Sequence, residues 1–75
     1  MSAKKRLVEY HCARLKDKSP DVRLKSIREL ELLCDTDALD ALQQLFQSDD
    51  NYEVRRAAQI AGRSIFLKNN SEQQR

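Results

Sequence analysis

Apolar residues recur at three- and four-residue spacing through most of the chain, in four blocks set apart by short polar stretches. At about 100° per residue this spacing is the signature of amphipathic helices. The first block predicts a helix over about 3–16. Leu7, Val8, His11, Cys12 and Leu15 share its apolar arc, flanked by Tyr10 and Arg14. The second predicts a helix over 20–33, with Val22, Ser26, Ile27, Leu30, Leu33 and Cys34 on one face and Leu24 and Leu32 off it. The third covers about 37–47, with Ala38, Leu39, Leu42, Leu45 and Phe46. The fourth covers about 52–68, with Val54, Ala57, Ala58, Ala61, Gly62 and Ile65.

The stretches between the blocks carry helix stop and start signals. Ser19 offers a hydroxyl to an orphan backbone N–H, and Pro20 suits a first helical position, where a missing N–H costs nothing. Asp21 places negative charge at the positive end of the helix dipole. Asp35 or Thr36 can cap the third helix, and Ser48, Asp49, Asp50 and Asn51 precede the fourth. Residues 69–75 are polar and predict a frayed tail.

The chain repeats itself. Val22 and Arg23 follow an acid at the start of the second helix, and Val54 and Arg55 follow one at the start of the fourth. The offset of 32 then holds for Ser26 with Ala58, Leu30 with Gly62 and Leu33 with Ile65. The preceding helices align as well, Cys12 with Leu42 and Leu15 with Leu45. A helix-turn-helix unit of about 30 residues therefore occurs twice.

The two copies resemble the short HEAT-like repeats of phycobilin-lyase-related proteins, whose pattern is Val-Arg-x-x-Ala-x-x-x-Leu-x-x-Ile behind an acid. Asp21–Leu33 and Glu53–Ile65 carry it, with Ser26 in place of Ala and Gly62 in place of Leu. The resemblance implies an all-α fold of two stacked antiparallel helical hairpins, four helices in all, as a fragment of an α-solenoid. It implies one domain over 1–75, with a first repeat over about 3–34, a second over about 36–68 and the polar tail beyond. It makes Val22, Arg23, Val54 and Arg55 structural repeat residues, the arginines bonding loop carbonyls or carboxylates, for which Asp17, Asp49 and Asp50 are at hand. By analogy with lyases of that group it also suggests an accessory role in pigment-protein processing.

Composition narrows the chemistry. Seventy-five residues make one small domain, and a single glycine cannot build a phosphate-cradling loop. No stretch approaches the roughly 20 apolar residues of a membrane span, and no secretory signal is visible. A core of this size supplies only a few kcal/mol without a staple. The cysteines are a poor one: in an antiparallel pair Cys34 lies about 13 Å along the helix from the position facing Cys12, beyond the roughly 7 Å a disulfide spans. Two buried, reduced thiols are expected, which fits a cytoplasmic setting. His11, the lone histidine, reads as a core or half-buried residue. His11, Cys12 and Cys34 do not converge, so no metal or cofactor is expected, and the iron-binding His-Glu pairs of some HEAT-like enzymes have no counterpart here. An enzyme is the least supported class.

Charge is segregated. Residues 1–28 carry a balance of +6, residues 29–53 carry −8, and residues 54–75 carry +4. Lys25 and Arg28 on the second helix, with Arg56 and Arg63 on the fourth, offer a basic patch on the surface that HEAT-type stacks use for binding. Ile60 and Leu67 lie off the main face of the fourth helix, on the side of Tyr52, Arg56 and Arg63, where a further repeat would sit. The expected function is a protein-interaction, scaffold or adaptor module with a protein partner, an acidic one by charge. A homodimer stacked through the fourth helix is the alternative. Nucleic acid, approached through Lys4, Lys5 and Arg6, is the weaker third, because the acidic stretch repels a phosphate backbone.

Overall fold

The computed structural model describes residues 2–73. Four helices follow one another: α1 Ala3–Arg14, α2 Pro20–Leu33, α3 Leu39–Ser48 and α4 Tyr52–Gln73, with a single 3-10 turn at Thr36–Ala38 leading into α3. α1 packs on α2 and α3 packs on α4, making two hairpins, and α2 packs on α4 to stack one hairpin on the other. The result is a slab of 39 × 25 × 15 Å. No helix is long and apolar enough, among the described residues, to cross a membrane.

Short polar side chains cap α1, α2 and α4, whereas α3 has no side-chain cap of its own, because Ala38 precedes it and Asp35 caps the 3-10 turn instead. Ser2 accepts from the backbone N–H of Lys5 at 3.2 Å. Ser19 accepts from Val22 at 3.5 Å and Asn51 accepts from Val54 at 3.0 Å. Asp35 accepts from Asp37 at 2.8 Å and opens the 3-10 turn that precedes α3.

One core joins both hairpins. Val8, Leu15, Ile27 and Leu30 of the first meet Ala38, Leu42, Val54, Ala58, Ala61 and Ile65 of the second. Small residues on α4 let the helices approach, as the sequence implies, but Gly62 is not needed for this. A Cβ added there would lie 4.0 Å from the Leu42 Cβ, an ordinary contact distance.

Several local expectations are corrected. Leu7, placed on the apolar arc of α1, is 47% exposed. α1 is covered on one side only, so its buried stripe is narrower than the arc its apolar residues describe. Phe46 also reaches solvent, at the outer edge of α3. Leu24 packs against the core instead of standing off it. Cys12 and Cys34 are free thiols and half-buried, not buried. The tail does not fray at 69: α4 continues through Gln73. The Asn69 amide donates to the Cys34 carbonyl at 3.2 Å and to the Ile65 carbonyl at 2.8 Å, tying the extension to the end of α2. Gln74 and Arg75 lie outside the described residues.

Candidate interaction surface

The two turns that precede α2 and α4 are built alike. Asp17 Oδ1 accepts from the Ser19 N–H at 2.9 Å, and Asp49 Oδ1 accepts from the Asn51 N–H at 2.9 Å. Arg23 Nη1 donates to the Asp17 carbonyl at 2.7 Å, and Arg55 Nη1 donates to the Asp49 carbonyl at 2.7 Å. Each arginine thus ties the first turn of its helix to the loop that enters it. Arg23 does more. Its Nη2 donates to Asp49 Oδ1 at 3.3 Å and to Asp50 Oδ1 at 3.4 Å, in the turn of the other hairpin. Its Nε lies 3.0 Å from Asp49 Oδ2. That N–H is not aligned with the carboxylate, so the contact there is of charge and not a well-formed hydrogen bond. Among the described residues Arg55 has no carboxylate in the corresponding place. Its guanidinium lies over the Tyr52 ring instead, 5.9 Å from the centroid.

The candidate residues on α4 fall on its uncovered side. Ile60 is 51% exposed, Leu67 50% and Phe66 52%, with Tyr52 exposed as well. Arg56 and Arg63 are exposed among them. Tyr52, Arg56 and Ile60 line one shallow groove together with Phe46, Arg55 and Gln59. A second groove continues from it between α3 and α4, lined by Phe46, Gln59, Gly62 and Phe66 over Leu42 and Ala58. The other basic candidates lie elsewhere. Lys25 lines a groove with Tyr10, His11 and Arg14 at the opposite edge of the slab. Arg28 lines another with Leu32, Cys34 and Lys68. Sequence reasoning missed Phe66, Gln59 and Phe46 as edge residues. The available signal was the repeat itself, because the buried Ile27 of α2 aligns with the exposed Gln59 of α4.

A third groove runs between α1 and α3, and polar residues close one end of it. Lys5 Nζ lies 2.6 Å from Asp37 Oδ2 and 3.0 Å from Asp35 Oδ2. The hydrogen bonds to Asp37 and Asp35 raise the pKa of Lys5. The backbone N–H of Asp37, and then the Lys5 ammonium, lower that of Asp35 against the opposing effect of burial. Cys12 lines the same groove. Burial, helped by the charges of Asp37 and Asp35, pushes its thiol up and away from the reactive thiolate. Among the described residues no three His, Cys, Asp or Glu side chains are grouped to hold a metal ion.

Stacked helical hairpins with congruent turns, an inter-hairpin arginine and one apolar edge define an α-helical repeat protein. Comparison with known families matches residues 2–62 to HEAT repeats, and the chain belongs to that family. The match is to HEAT repeats in general and carries no pigment-related subtype. No curated protein and no solved structure matches the chain. HEAT repeats are in general protein-interaction and scaffold modules, and they are generally not enzymes.

Proposed function

We propose that this chain is a protein-interaction module that engages its partner through the uncovered side of α4. The observation that carries the reading is the exposure of three large apolar side chains along α4, Ile60, Phe66 and Leu67, on a helix that also presents Arg55, Arg56 and Arg63. Exposed apolar side chains interspersed with guanidinium groups suit a protein surface, where burial supplies affinity and charge supplies selectivity. The partner surface is acidic, because α4 carries three exposed or half-exposed arginines on this side and one acid, Glu53, in its first turn.

The test is capture of partner by the immobilised chain, compared with the double variant Ile60→Ala, Leu67→Ala. Capture is lost in the variant while its helical circular dichroism is unchanged. Capture that survives the double change overturns the assignment of the surface. Light scattering over a wide concentration range distinguishes this reading from a homodimer stacked through the same helix.

A further inference from the structure

The repeat supplies a template for what belongs on its own open edge. In the first hairpin the outer edge is occupied: the second hairpin lies on it. Residues of α2 that face outward are buried there, whereas their counterparts 32 positions later on α4 are not. Ile27 is 1% exposed and Gln59 is exposed; Leu24 packs against the core and Arg56 is exposed. The converse holds on the inner edge. Ala57 is half-buried and Ala61 is fully buried against the first hairpin, whereas their counterparts Lys25 and Glu29 are exposed. Two features therefore mark the element that docks. Small residues one turn apart let its second helix approach, and carboxylates in its turn, Asp49 and Asp50, meet the arginine of the hairpin before it.

The outer edge of the second hairpin repeats the receiving half of this arrangement. Arg55 is placed as Arg23 is, bonded to its own loop carbonyl, with no carboxylate across from it among the described residues. Beside it the groove between α3 and α4 is apolar and open, walled by Phe46 and Phe66 and floored by Gly62, where the first hairpin has the fully buried Leu30.

A second copy of this chain does not fit the edge. Head to tail, it would bring the long charged side chains of Lys25 and Glu29 to the place that Ala57 and Ala61 take in the stacked pair. Edge to edge, it would set Arg55, Arg56 and Arg63 against themselves, which like-charge repulsion disfavours.

We infer that the outer α3–α4 edge docks a helical hairpin of another protein, with small residues one turn apart on its second helix and an acidic turn that pairs with Arg55. The inference rests on the interaction-module reading and names the class of partner.

The probe is a fluorescently labelled full chain carrying Lys18→Asp, Lys25→Ala and Glu29→Ala, which give its first hairpin an acidic turn and small residues one turn apart, with Arg55→Glu so that it does not receive a copy of itself. It is titrated with the parent chain and followed by anisotropy. Saturable binding is expected, weakened at least about tenfold by Arg55→Glu in the parent, in keeping with breaking a close charge pair. A probe that keeps Lys18 and Arg55 binds that variant instead. Gly62→Leu in the parent, which fills the groove, weakens binding without lowering the melting temperature, so a loss there is not a loss of fold. Binding absent up to ~1 mM, a free energy of about 4 kcal/mol, from a probe with the parent's helical circular dichroism overturns the inference. So does binding that Arg55→Glu in the parent leaves unchanged. Absent probe binding, with partner capture still dependent on Ile60 and Leu67, overturns the docked hairpin alone and leaves the interaction module standing.

Discussion

Arg23 and Asp49 bind the two hairpins together: the Arg23 guanidinium lies 3.0 Å from the Asp49 carboxylate, and the two side chains are only 11% and 7% exposed. Asp49 is shared. Its carboxylate also receives the Asn51 N–H, and its carbonyl receives Arg55. Removing one partner of such a pair leaves the other charge desolvated. Arg23→Ala and Asp49→Ala are each expected to cost about 3 kcal/mol, the lower end of the range for breaking a buried pair. Arg23→Lys does not restore the loss, because one ammonium cannot span the Asp17 carbonyl and the Asp49 carboxylate as the planar fork does. Urea denaturation of the singles and the double variant gives the coupling energy. A coupling near zero would show that the hairpins are held by the apolar core alone.

Gly62 sits in the middle of α4 with room for a methyl group. Glycine in a helix interior is less favourable than alanine by about 0.5–1 kcal/mol. The new Cβ would meet the Leu42 Cβ at 4.0 Å, close enough for contact and too far to clash. Gly62→Ala is therefore expected to stabilise the chain by about 1 kcal/mol. A destabilised variant would mean that the helices approach more closely here than the 4.0 Å contact implies.

Much of the architecture was legible because its causes are local. The pairs Val22–Arg23 and Val54–Arg55 stand at helix starts, and the polar residues ahead of them are the caps that fix those starts. What neighbours cover was not legible in the same way. Leu7 belongs to an apolar arc by spacing, yet no second layer reaches it. Phe66 and Gln59 give no sign from helical periodicity that they border an open edge, because that depends on where a second helix stops covering the first. The extension of α4 was hidden by its polar composition. Asn69 holds it through two carbonyls, one of them 35 residues away, and no local pattern reports such a bond. Of the surface proposed from sequence, Tyr52, Arg56 and Ile60 share a groove, whereas Lys25 and Arg28 line others.

The Lys5, Asp35 and Asp37 cluster makes stability depend on pH at both ends. The pKa of Asp35 lies below its ordinary 3.8. Its contribution is present above the unfolded value and is lost as pH falls through the lower folded value. The pKa of Lys5 lies above its ordinary 10.5. Its contribution is present below 10.5 and is lost as pH rises through the higher folded value. Asp35→Asn keeps an oxygen for the Asp37 N–H but removes the charge. It should flatten the acid limb of stability against pH while Asp37 retains part of the alkaline limb. Urea midpoints from acid to alkaline pH check this, and an acid limb identical to the parent's would assign the acid sensitivity to other carboxylates.

Cys34 ends α2 in the left-handed region, with φ at 54° and ψ at 40°. It is the one non-glycine residue with positive φ among those described. An L side chain there is strained by about 1–2 kcal/mol, and glycine is not. The thiol offsets little of this: it is half-buried, and its sulfur lies 3.7 Å from the Asn69 amide, a weak contact. The helix-ending bond from the Cys34 N–H to the Leu30 carbonyl, at 3.1 Å, needs no side chain. Cys34→Gly is therefore expected to stabilise the chain by about 0.5–1 kcal/mol net of glycine's greater freedom when unfolded. For a chain of this size that raises the melting temperature by about 2–8 °C. Cys34→Ala keeps the strain and loses the sulfur contact, so it should melt at or slightly below the parent. If the glycine variant melts lower than the alanine variant, the side chain at this position contributes packing that outweighs the left-handed strain.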